Sequence, residues 1–348
     1  MSPAMGLDRT ARIAVAGAGS VGCYIGGCLT LAGRDVTLLM RPALAEAVSR
    51  RGLRISDLEG SDRILPPVAL RLAVDAGAAL ADAEIVLVTV KSRDTAEMAR
   101  LIARHAPQDA VVVSLQNGVG NAGVLRERLA PTQRVVAGMV PFNVVPMADD
   151  GGPVRFHRAT AGTLLVEPDA TGLADALDVP GAQLDEHPDM TGVLWAKLLL
   201  NLNNALNALS DLPLSAELAD RGWRRLLAAQ IEEALAVLAA AGIEPARLER
   251  VPPRAIPFIL RLPTWLFRLV ARRMLAIDPH ARSSMWEDLQ RRRPTEIDHL
   301  QGAILRLARD KGVAAPLTER IARLIKGAEE AGAGPPRLRP DQVAHVAR

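Results

Sequence analysis

Lysine and asparagine side chains share one face of a predicted helix in the second half of the chain. At 100° per residue, Lys197, Asn201 and Asn204 fall on one stripe, and leucines occupy the opposite face. Asparagine is a mediocre helix former, so a merely solvated face would more often carry Glu, Lys or Arg. An amide donates and accepts hydrogen bonds, and a partly desolvated lysine can act as a general acid near neutral pH. The stripe therefore predicts a catalytic site with Lys197 as proton donor, with a charged surface helix as the alternative.

Hydroxyl and carboxylate side chains form a second candidate cluster further along the chain. Ser284 precedes Glu287 by three residues, which is the spacing of a helix capping box. Thr295 and Asp298 have the same spacing. Glu296 would then be a first-turn acid that the helix dipole favours. The capping interpretation and a role in binding both stay open on these residues alone.

Two polar loops follow predicted strands in the first half of the chain. Lys91 comes after the apolar run 85–90, and Asn117 comes after the run 111–115. Open α/β sheets bind ligands at the carboxyl ends of their strands, so Lys91 can contact a nucleotide or a substrate. Asn117 can hydrogen-bond a carboxamide, a ribose or a substrate, although an Asn-Gly turn alone would explain it equally well.

A glycine-rich turn lies between the first predicted strand and the first predicted helix. Its Gly-x-Gly-x-x-Gly pattern is typical of a dinucleotide site, because the glycines permit a tight turn, a close approach to a pyrophosphate and close helix packing. The amides and the dipole at the start of the helix favour phosphate. The predicted cofactor-binding residues of this turn are Gly17, Ala18, Gly19, Ser20, Val21 and Gly22.

The end of the second predicted strand indicates which dinucleotide is bound. An NAD site usually has Asp or Glu about 20 residues after the glycines, where it accepts hydrogen bonds from the ribose. This chain has Arg41 there, and a planar guanidinium suits the 2′-phosphate of NADP(H). The prediction is therefore NADP(H), with a solvated arginine at a strand end as the alternative.

Strands and helices alternate through the first half, which predicts a doubly wound parallel sheet. The predicted strands are 12–16, 35–40, 85–90, 111–115 and 134–140, and the predicted helices between them include 21–32 and 95–104. Three shorter runs are expected to extend the sheet with antiparallel strands, at 154–157, 162–166 and 183–187. Helical periodicity dominates from about residue 191, through 194–209, 223–241 and 297–309.

The predicted fold class is therefore α/β, with an N-terminal Rossmann-type dinucleotide-binding domain followed by an all-helical C-terminal domain. The first domain is expected over 1–190 and the helical substrate and catalytic domain over 191–335. The tail, 336–348, is expected to fray. Ligands often bind at domain interfaces, so the active site is expected in the cleft between the domains.

Composition describes an ordinary globular protein. The 348 residues suffice for two domains, and 49% are hydrophobic against 23% charged. A net charge of only +3 gives little reason to expect a nucleic acid partner. Neither a signal core nor a membrane span is predicted. Cys23 and Cys28 have neither metal-binding spacing nor a disulfide framework, so we predict no metal site and a cytoplasmic location.

Taken in order, these motifs resemble the ketopantoate reductase (2-dehydropantoate 2-reductase) family over almost the whole chain. The stretches that carry the resemblance are 17–22, Arg41, 90–91, 116–118, 197–201, 283–285 and 294–298. The resemblance implies NADPH-dependent reduction of a 2-oxo acid, with 2-dehydropantoate, an intermediate of pantothenate biosynthesis, as the expected substrate. A homodimer is one expected assembly.

The resemblance also implies roles for individual residues. It makes Lys197 the general acid, and Glu296 the carboxylate that holds Lys197 and the substrate hydroxyl. It makes Asn117 and Asn201 contacts of the substrate or nicotinamide, and Ser284 a donor to the substrate carboxylate. These roles favour binding over capping for Ser284 and Glu296.

Two alanines depart from the family pattern. Ala281 and Ala205 stand where members commonly have asparagine, and Asn204 can substitute for the second. A paralogue with another 2-oxo acid substrate, or an opine-type dehydrogenase, is therefore an alternative. A non-catalytic NADP-binding protein is a further one, although it would not need both Lys197 and Glu296.

A basic and apolar stretch, 251–277, is longer than a minimal family member would need. It is interpreted as a helix that lines a subunit interface or covers the active site. Peripheral binding to an anionic membrane or to nucleic acid is the alternative.

Overall fold

The computed structural model describes residues 7–147, 151–248, 251–271 and 281–344. The chain divides into two compact units, Met1–Met190 and Thr191–Arg348. The first unit contains every strand of the described residues and the second consists of helices. The predicted fold class is confirmed.

The first unit alternates strands and helices in the order that the sequence predicts for a doubly wound fold. Its strands are β1 (Arg12–Ala16), β2 (Asp35–Leu39), β3 (Leu53–Asp57), β4 (Asp62–Leu65), β5 (Arg71–Ala73), β6 (Ile85–Val88), β7 (Val111–Ser114), β8 (Val135–Met139), β9 (Val144–Met147), β10 (Val154–Arg158), β11 (Leu164–Val166) and β12 (Leu184–Glu186). Its helices are α1 (Ser20–Leu31), α2 (Pro42–Arg51), α3 (Ala76–Leu80), α4 (Thr95–His105), α5 (Asn121–Arg128) and α6 (Leu173–Leu177).

An eight-stranded sheet forms the centre of this unit, in the order β12-β11-β8-β7-β6-β1-β2-β5. Six neighbouring strands of this sheet, in the order β8-β7-β6-β1-β2-β5, are all parallel to one another. This is the strand order of a dinucleotide-binding fold. Strands β6 and β7 are wholly buried, and apolar except for Ser114 at the end of β7, as expected for parallel strands covered on both faces. The chain leaves β1 toward β2 and returns at β6, so the topological switch point lies between β1 and β6.

Helix α1 packs between this sheet and a smaller sheet with the order β4-β3-β10-β9. Small residues allow both contacts. A Cβ on Gly26 would lie 2.4 Å from Leu38 of the large sheet, and one on Gly27 would lie 3.1 Å from Ile55 of the small sheet. Because both sides of α1 are covered, all of its residues from Gly22 to Leu29 are buried.

The smaller sheet corrects one prediction. The run 154–157 does not extend the large sheet, because β10 pairs in parallel with β3 and antiparallel with β9. Strands β3 and β4 form a hairpin that the sequence analysis did not predict, although Leu53 and Ile55 alternate with polar residues. The other two short runs do extend the large sheet: β11 is antiparallel to β8, whereas β12 is parallel to β11.

The second unit is helical throughout its described part. Its helices are α7 (Met190–Asn201), α8 (Asn203–Ser210), α9 (Leu214–Ala219), α10 (Arg221–Ala240), α11 (Ile256–Arg261), α12 (Thr264–Val270), α13 (Ser284–Gln290), α14 (Gln301–Lys311), α15 (Pro316–Ala331) and α16 (Pro340–Ala344). The helix predicted over 194–209 is thus two helices that meet at Leu202, and the helix predicted over 297–309 begins only at Gln301.

The C-terminal segment also differs from the prediction. Residues 336–344 do not fray: α16 buries Val343, and the N–H of Leu338 donates to the carbonyl of Leu209 at 2.8 Å. Besides Val343, the segment is held by Arg337, which donates to Asp211, and by Arg320 of α15, which donates to the carbonyls of Gln342 and Val343. These scattered contacts give little periodicity to detect in the sequence. The rest of the predicted tail, 345–348, lies outside the described residues.

The stretch 251–277 is described as far as residue 271 and contains α11 and α12, and the rest of it lies outside the described residues. The buried Arg224 of α10 holds both helices: its Nε donates to the carbonyl of Leu260 at 3.1 Å, and its guanidinium lies 4.3 Å from the ring of Phe267. The side chains of Phe258 and Trp265 are exposed. In the described part of the chain, no helix is both long and apolar enough to span a bilayer.

Candidate active site

The turn after β1 makes a very close approach to the residues that follow β6. Gly17 has φ +92°, and a Cβ there would lie 2.3 Å from Cγ1 and 2.9 Å from the backbone nitrogen of Val90. Both the backbone angle and the contact exclude a side chain. Gly17 is therefore needed by the fold at the switch point, whatever binds there.

Gly22 serves the packing of α1 on the same strand ends. A Cβ at this position would lie 2.5 Å from Oγ1 of Thr89, which itself donates to the carbonyl of Gly17 at 2.9 Å. The glycine thus lets the first turn of α1 lie directly against the two strands. Like Gly17, it is explained by contacts within the protein.

Gly19 has no such explanation. Its φ is −87°, which any residue can adopt, and the nearest atom to an added Cβ is the carbonyl oxygen of Gly17 at 3.9 Å. Gly19 is also the N-cap of α1, where a glycine offers no side chain to the first amides of the helix. Open space beside uncapped amides at a switch point fits the pyrophosphate of a dinucleotide.

The other predicted cofactor residues lie at neighbouring strand ends. Arg41 directly follows β2 and Met40 and is the N-cap of α2, with its side chain exposed. Lys91 follows β6 and begins a short 3₁₀ turn, with its side chain partly buried. In the turn itself, Ala18 is buried and Ser20 and Val21 are partly buried. Among the described residues, no group of His, Cys, Asp and Glu could hold a metal ion.

A buried hydrogen-bond network supports the loops after β6 and β7. The Ser92 hydroxyl and the Asn121 amide each donate to the backbone carbonyl of Asn117 at 2.8 Å. Nε2 of Gln116 donates to Oγ1 of Thr95 at 2.7 Å. The network fixes the backbone of Asn117 and leaves its side chain exposed.

Three members of this network were not singled out from the sequence: Ser92, Thr95 and Asn121. Short polar side chains near turns are common, and only the fold reveals that these three are buried together. Nothing in the sequence indicates that these three side chains are buried near Asn117.

The predicted lysine and asparagine stripe lies on α7 and α8. Lys197, Asn201 and Asn204 are partly exposed, and the leucines of the opposite face are fully buried. Ala205 is also fully buried among these apolar residues. Asn204, and not position 205, is therefore the side chain able to take part in a polar site here.

The junction of α7 and α8 is held by a residue that the sequence analysis did not select. The side chain of Gln301, fully buried, donates from Nε2 to the carbonyl of Leu202 at 3.0 Å. This bond satisfies a carbonyl at the helix break, and it connects the start of α14 to the helices that carry the lysine and asparagines.

Glu296 lies in a turn before α14, and it is buried. The capping interpretation of this segment is wrong because no helix begins at this point. Instead, the Thr295 hydroxyl accepts from the N–H of Ile297 at 3.2 Å, and the N–H of Thr295 donates to Oε1 of Glu329 on α15 at 2.6 Å. Gln301 and Glu329 thus anchor the Glu296 turn from both ends.

The start of α13 corrects the second capping interpretation. Ser283, and not Ser284, is the N-cap, and its Oγ accepts from the N–H of Trp286 at 3.1 Å. Ser283 is buried, whereas Ser284 is exposed. The hydroxyl of Ser284 is therefore not used to cap its helix. Ala281 is partly buried, and its carbonyl accepts from the N–H of Leu214 at 2.9 Å.

The second unit also contains a buried acid, Glu217 on α9. Glu217 on α9 is almost fully buried, and its Oε2 accepts from Nδ2 of Asn207 at 2.6 Å. Burial raises the pKa of the Glu217 carboxyl to about 8, although the amides of Asn207 and Asn203 oppose that rise. Burial therefore favours the protonated, neutral form of this carboxyl in the folded protein. Sequence analysis missed it because a single glutamate in a short helix carries no signal.

Both halves of the chain match models of one protein family. Residues 13–169 match the model described as ketopantoate reductase PanE/ApbA, and residues 189–329 match its C-terminal counterpart. The chain belongs to the ketopantoate reductase family. It is accordingly an oxidoreductase that acts on CH–OH groups and binds a dinucleotide.

Individual relatives cover nearly the whole chain. A 2-dehydropantoate 2-reductase of Halobacterium salinarum is 32% identical over 92% of this chain and 100% of its own length. A family member of known structure from Ralstonia eutropha JMP134 is 31% identical, with a TM-score of 0.75 over 92% of this chain and 99% of its own. D-mandelate dehydrogenase in a complex with NADH shares the fold at 21% identity, with a TM-score of 0.73 over 92% and 99%.

Gly19 and Gly17 are expected to respond differently to an added methyl group. Gly19→Ala should keep the stability of the protein, because the added Cβ meets open space, and should weaken dinucleotide binding at least tenfold because the methyl occupies that space. Gly17→Ala should lower the unfolding midpoint, because its Cβ would overlap Val90. Titration of nucleotide fluorescence and urea unfolding measure the two effects. Normal nucleotide affinity in Gly19→Ala would contradict this assignment.

Glu217 is expected to make stability depend on pH. Its folded pKa lies above the ordinary value of 4.5, so the unfolded chain loses this proton first, and stability falls as pH rises from about 4.5 to about 8. Glu217→Gln does not titrate. Its free energy of unfolding relative to the unmodified protein should therefore increase between pH 5 and pH 8 in urea unfolding experiments. The exposed Glu330→Gln is the control, and equal pH profiles for Glu217→Gln and the unmodified protein would refute a neutral Glu217.

Proposed function

We propose that the protein reduces a 2-oxo acid to a 2-hydroxy acid with NADPH, and that its substrate is 2-dehydropantoate (ketopantoate). The polar face of α7 and α8 carries the proposal: Lys197, Asn201 and Asn204 are partly exposed on helices whose apolar side chains are buried. In a chain of this family, such a face suits a small, polar, anionic substrate. The 2-dehydropantoate 2-reductases among its relatives support the choice of ketopantoate.

Residues of the first unit would hold the cofactor. The open space at Gly19 and the amides that begin α1 suit the pyrophosphate, and the exposed guanidinium of Arg41 suits a 2′-phosphate. Lys91 and Asn117 lie at the ends of the next strands and can contact the nucleotide or the substrate. When bound, NADPH supplies a hydride to the carbonyl carbon.

Lys197 would complete the reduction by proton transfer. The carbonyl oxygen gains negative charge as the new C–H bond forms, and an ammonium group beside it both stabilises that charge and gives the proton that makes the hydroxyl. Glu296 would accept hydrogen bonds from Lys197 and from the 4-hydroxyl of the substrate. Ser284 would donate to the carboxylate, with Asn201 and Asn204 as further contacts.

Ala281 favours a second candidate function. Family members commonly have asparagine three residues before the serine that matches Ser284, whereas this chain has alanine there and therefore no side-chain amide at that position. A paralogous reductase with a 2-oxo acid other than ketopantoate would need that contact less. The buried free thiols of Cys23 and Cys28 support a location in a reducing compartment such as the cytoplasm.

A homodimer stays a prediction. Light scattering, which gives the molar mass in solution, measures it.

Arg41 is expected to set the preference between the two nicotinamide cofactors. NADPH should bind at least tenfold more tightly than NADH, a difference of about 1.4 kcal/mol, because the guanidinium pairs with the 2′-phosphate. Arg41→Ala should remove most of the difference, whereas Arg50→Ala, which removes an exposed arginine of the same helix, should retain it. Fluorescence titration gives the dissociation constants. Equal affinities in the unmodified protein would rule out this role.

Lys197 is expected to matter for turnover and not for cofactor binding. Lys197→Ala should lower kcat roughly 10²-fold or more, the usual cost of losing a general acid, while the NADPH dissociation constant stays nearly unchanged. Lys311→Ala, at an exposed lysine of the same unit, is the control. Stopped-flow and steady-state NADPH oxidation measure both quantities. Normal turnover in Lys197→Ala would mean that another group, with Lys91 the next candidate, supplies the proton.

The choice of ketopantoate is tested by an analogue that lacks only the 4-hydroxyl. A site built to hydrogen-bond a hydroxyl penalises its absence more strongly than it penalises a missing methylene. Ketopantoate should therefore be reduced much faster than the deoxy analogue, and Glu296→Gln should narrow the difference. An NADPH-oxidation assay over a panel of 2-oxo acids decides the question. Reduction of another 2-oxo acid but not ketopantoate would identify a paralogue.

A further inference from the structure

The side chain of Asn207 on α8 is fully buried and uses all of its N–H groups within the protein. Its Nδ2 donates to the carbonyl of Leu212 at 2.9 Å and to Oε2 of Glu217 at 2.6 Å. Its Oδ1 accepts from the backbone N–H of Ser283 at 2.8 Å. One amide thus connects the end of α8, the short helix α9 and the first residue before α13.

Ser283 forms a second bond to α8. Its hydroxyl donates to the backbone carbonyl of Asn204 at 3.0 Å, one helical turn before Asn207. The N–H and the hydroxyl of Ser283 are therefore both fixed on α8. Ser284 is the next residue, so its exposed hydroxyl has a defined position relative to Asn204.

A separate cluster holds the outer side of α13. Nε1 of Trp286 donates to Oδ1 of Asp211 at 2.6 Å, and Nε of Arg337 donates to Oδ2 of the same carboxylate at 2.8 Å. Arg282 stacks 4.4 Å from the Trp286 ring. None of these contacts uses the side chain of Asn207, so α13 keeps an attachment to the end of α8 when that side chain is shortened. A change at Asn207 should therefore shift the start of α13 without releasing the helix.

The Glu217 carboxyl fixes the amide nitrogen of Asn207, because its Oε2 accepts from Nδ2. Glu217 is almost fully buried, and the structure describes no ion pair with it. A neutral carboxyl is far less costly to bury than a charged one, and it can still accept from an amide. The N–H of Ser283 can only donate and the carbonyl of Leu212 can only accept, so Oδ1 of Asn207 meets Ser283 and Nδ2 meets Leu212. Oε2 of Glu217 accepts the second N–H of Nδ2 and helps to hold the amide in this orientation.

We propose that Asn207, oriented by Glu217, is a positioning residue for the carboxylate of the 2-oxo acid, because it fixes the Ser284 hydroxyl relative to Asn204. This inference rests on the proposed function, in which Ser284 donates to that carboxylate. Asn207 itself is buried and touches neither substrate nor cofactor. A misplacement of about 1 Å in a binding group can cost as much as 10²-fold.

The test separates substrate binding from turnover in Asn207→Ala. We expect KM for ketopantoate to rise at least tenfold while kcat changes less than threefold, because Lys197 and Glu296 are untouched. The dissociation constant of NADPH should stay within twofold. Gln230→Met is the matched control: it removes a fully buried amide of α10 that has no hydrogen-bond partner among the described residues, and its KM should stay normal.

Two variants of Glu217 test the orientation of the amide. Glu217→Gln keeps an acceptor for Nδ2 of Asn207 and should retain a KM close to that of the unmodified protein. Glu217→Leu removes the acceptor and should raise KM as Asn207→Ala does. This pair also decides the question if Asn207→Ala does not fold, since equal KM values for the two Glu217 variants would overturn the inference.

The remaining outcomes distinguish this inference from the proposed function. An unchanged KM in Asn207→Ala, or an equal rise in Gln230→Met, overturns the positioning role alone. If the unmodified protein reduces a different 2-oxo acid, ketopantoate is the wrong substrate, and the same variants are compared on that acid because the carboxylate is common to all. If it reduces no 2-oxo acid of the panel, both the function and the positioning role are overturned.

Discussion

The close packing of α1 is the constraint on which the first unit depends. This helix lies between two sheets, and glycines on its two sides let it approach strands of both. The same packing brings the turn after β1 against the residues that follow β6, where even a single Cβ on Gly17 would overlap Val90. The open space at Gly19 exists because the turn is held so tightly on either side of it. A flexible loop would provide no fixed amides at that point.

The second unit depends on a different feature: polar side chains are buried in its helical core. Asn207, Glu217 and Gln301 are buried. Asn207 and Gln301 bond to backbone groups at a helix start and a helix break, and Glu217 accepts from the side-chain amide of Asn207. Leucines could fill these volumes but could not form the bonds. The cost is the burial of the Glu217 carboxyl, which raises its pKa, and the gain is a defined position for the residues that face outward.

Motifs and strand periodicity predict most of the first unit, because parallel strands are continuous apolar runs and the glycine turn is local in sequence. The position of β10 escaped prediction because it pairs with β3 across about 100 residues, and such pairing depends on tertiary packing. The hairpin of β3 and β4 is local in sequence and was also not predicted. In the second unit, spacing suggested capping boxes at Ser284 and Thr295. The residue that caps α13 is Ser283, whose Oγ accepts from the N–H of Trp286. Its own N–H donates to Asn207, 76 residues earlier, and sequence spacing cannot reveal that contact. The roles of Lys197, Glu296 and Ser284 in catalysis stay predictions.

The contact between Arg337 and Asp211 has a practical consequence for anyone who handles this protein. Asp211 accepts from Arg337 on one oxygen and from Trp286 on the other, so the C-terminal segment acts on α13 through a single carboxylate. Leu338 adds a backbone bond to Leu209 at the end of α8. A truncation at residue 336, or proteolysis there during purification, would thus alter the surroundings of Ser284 while leaving the nucleotide-binding fold intact. Such a preparation would resemble a folded enzyme with poor substrate affinity, and its C-terminus should be verified by mass before any kinetic comparison.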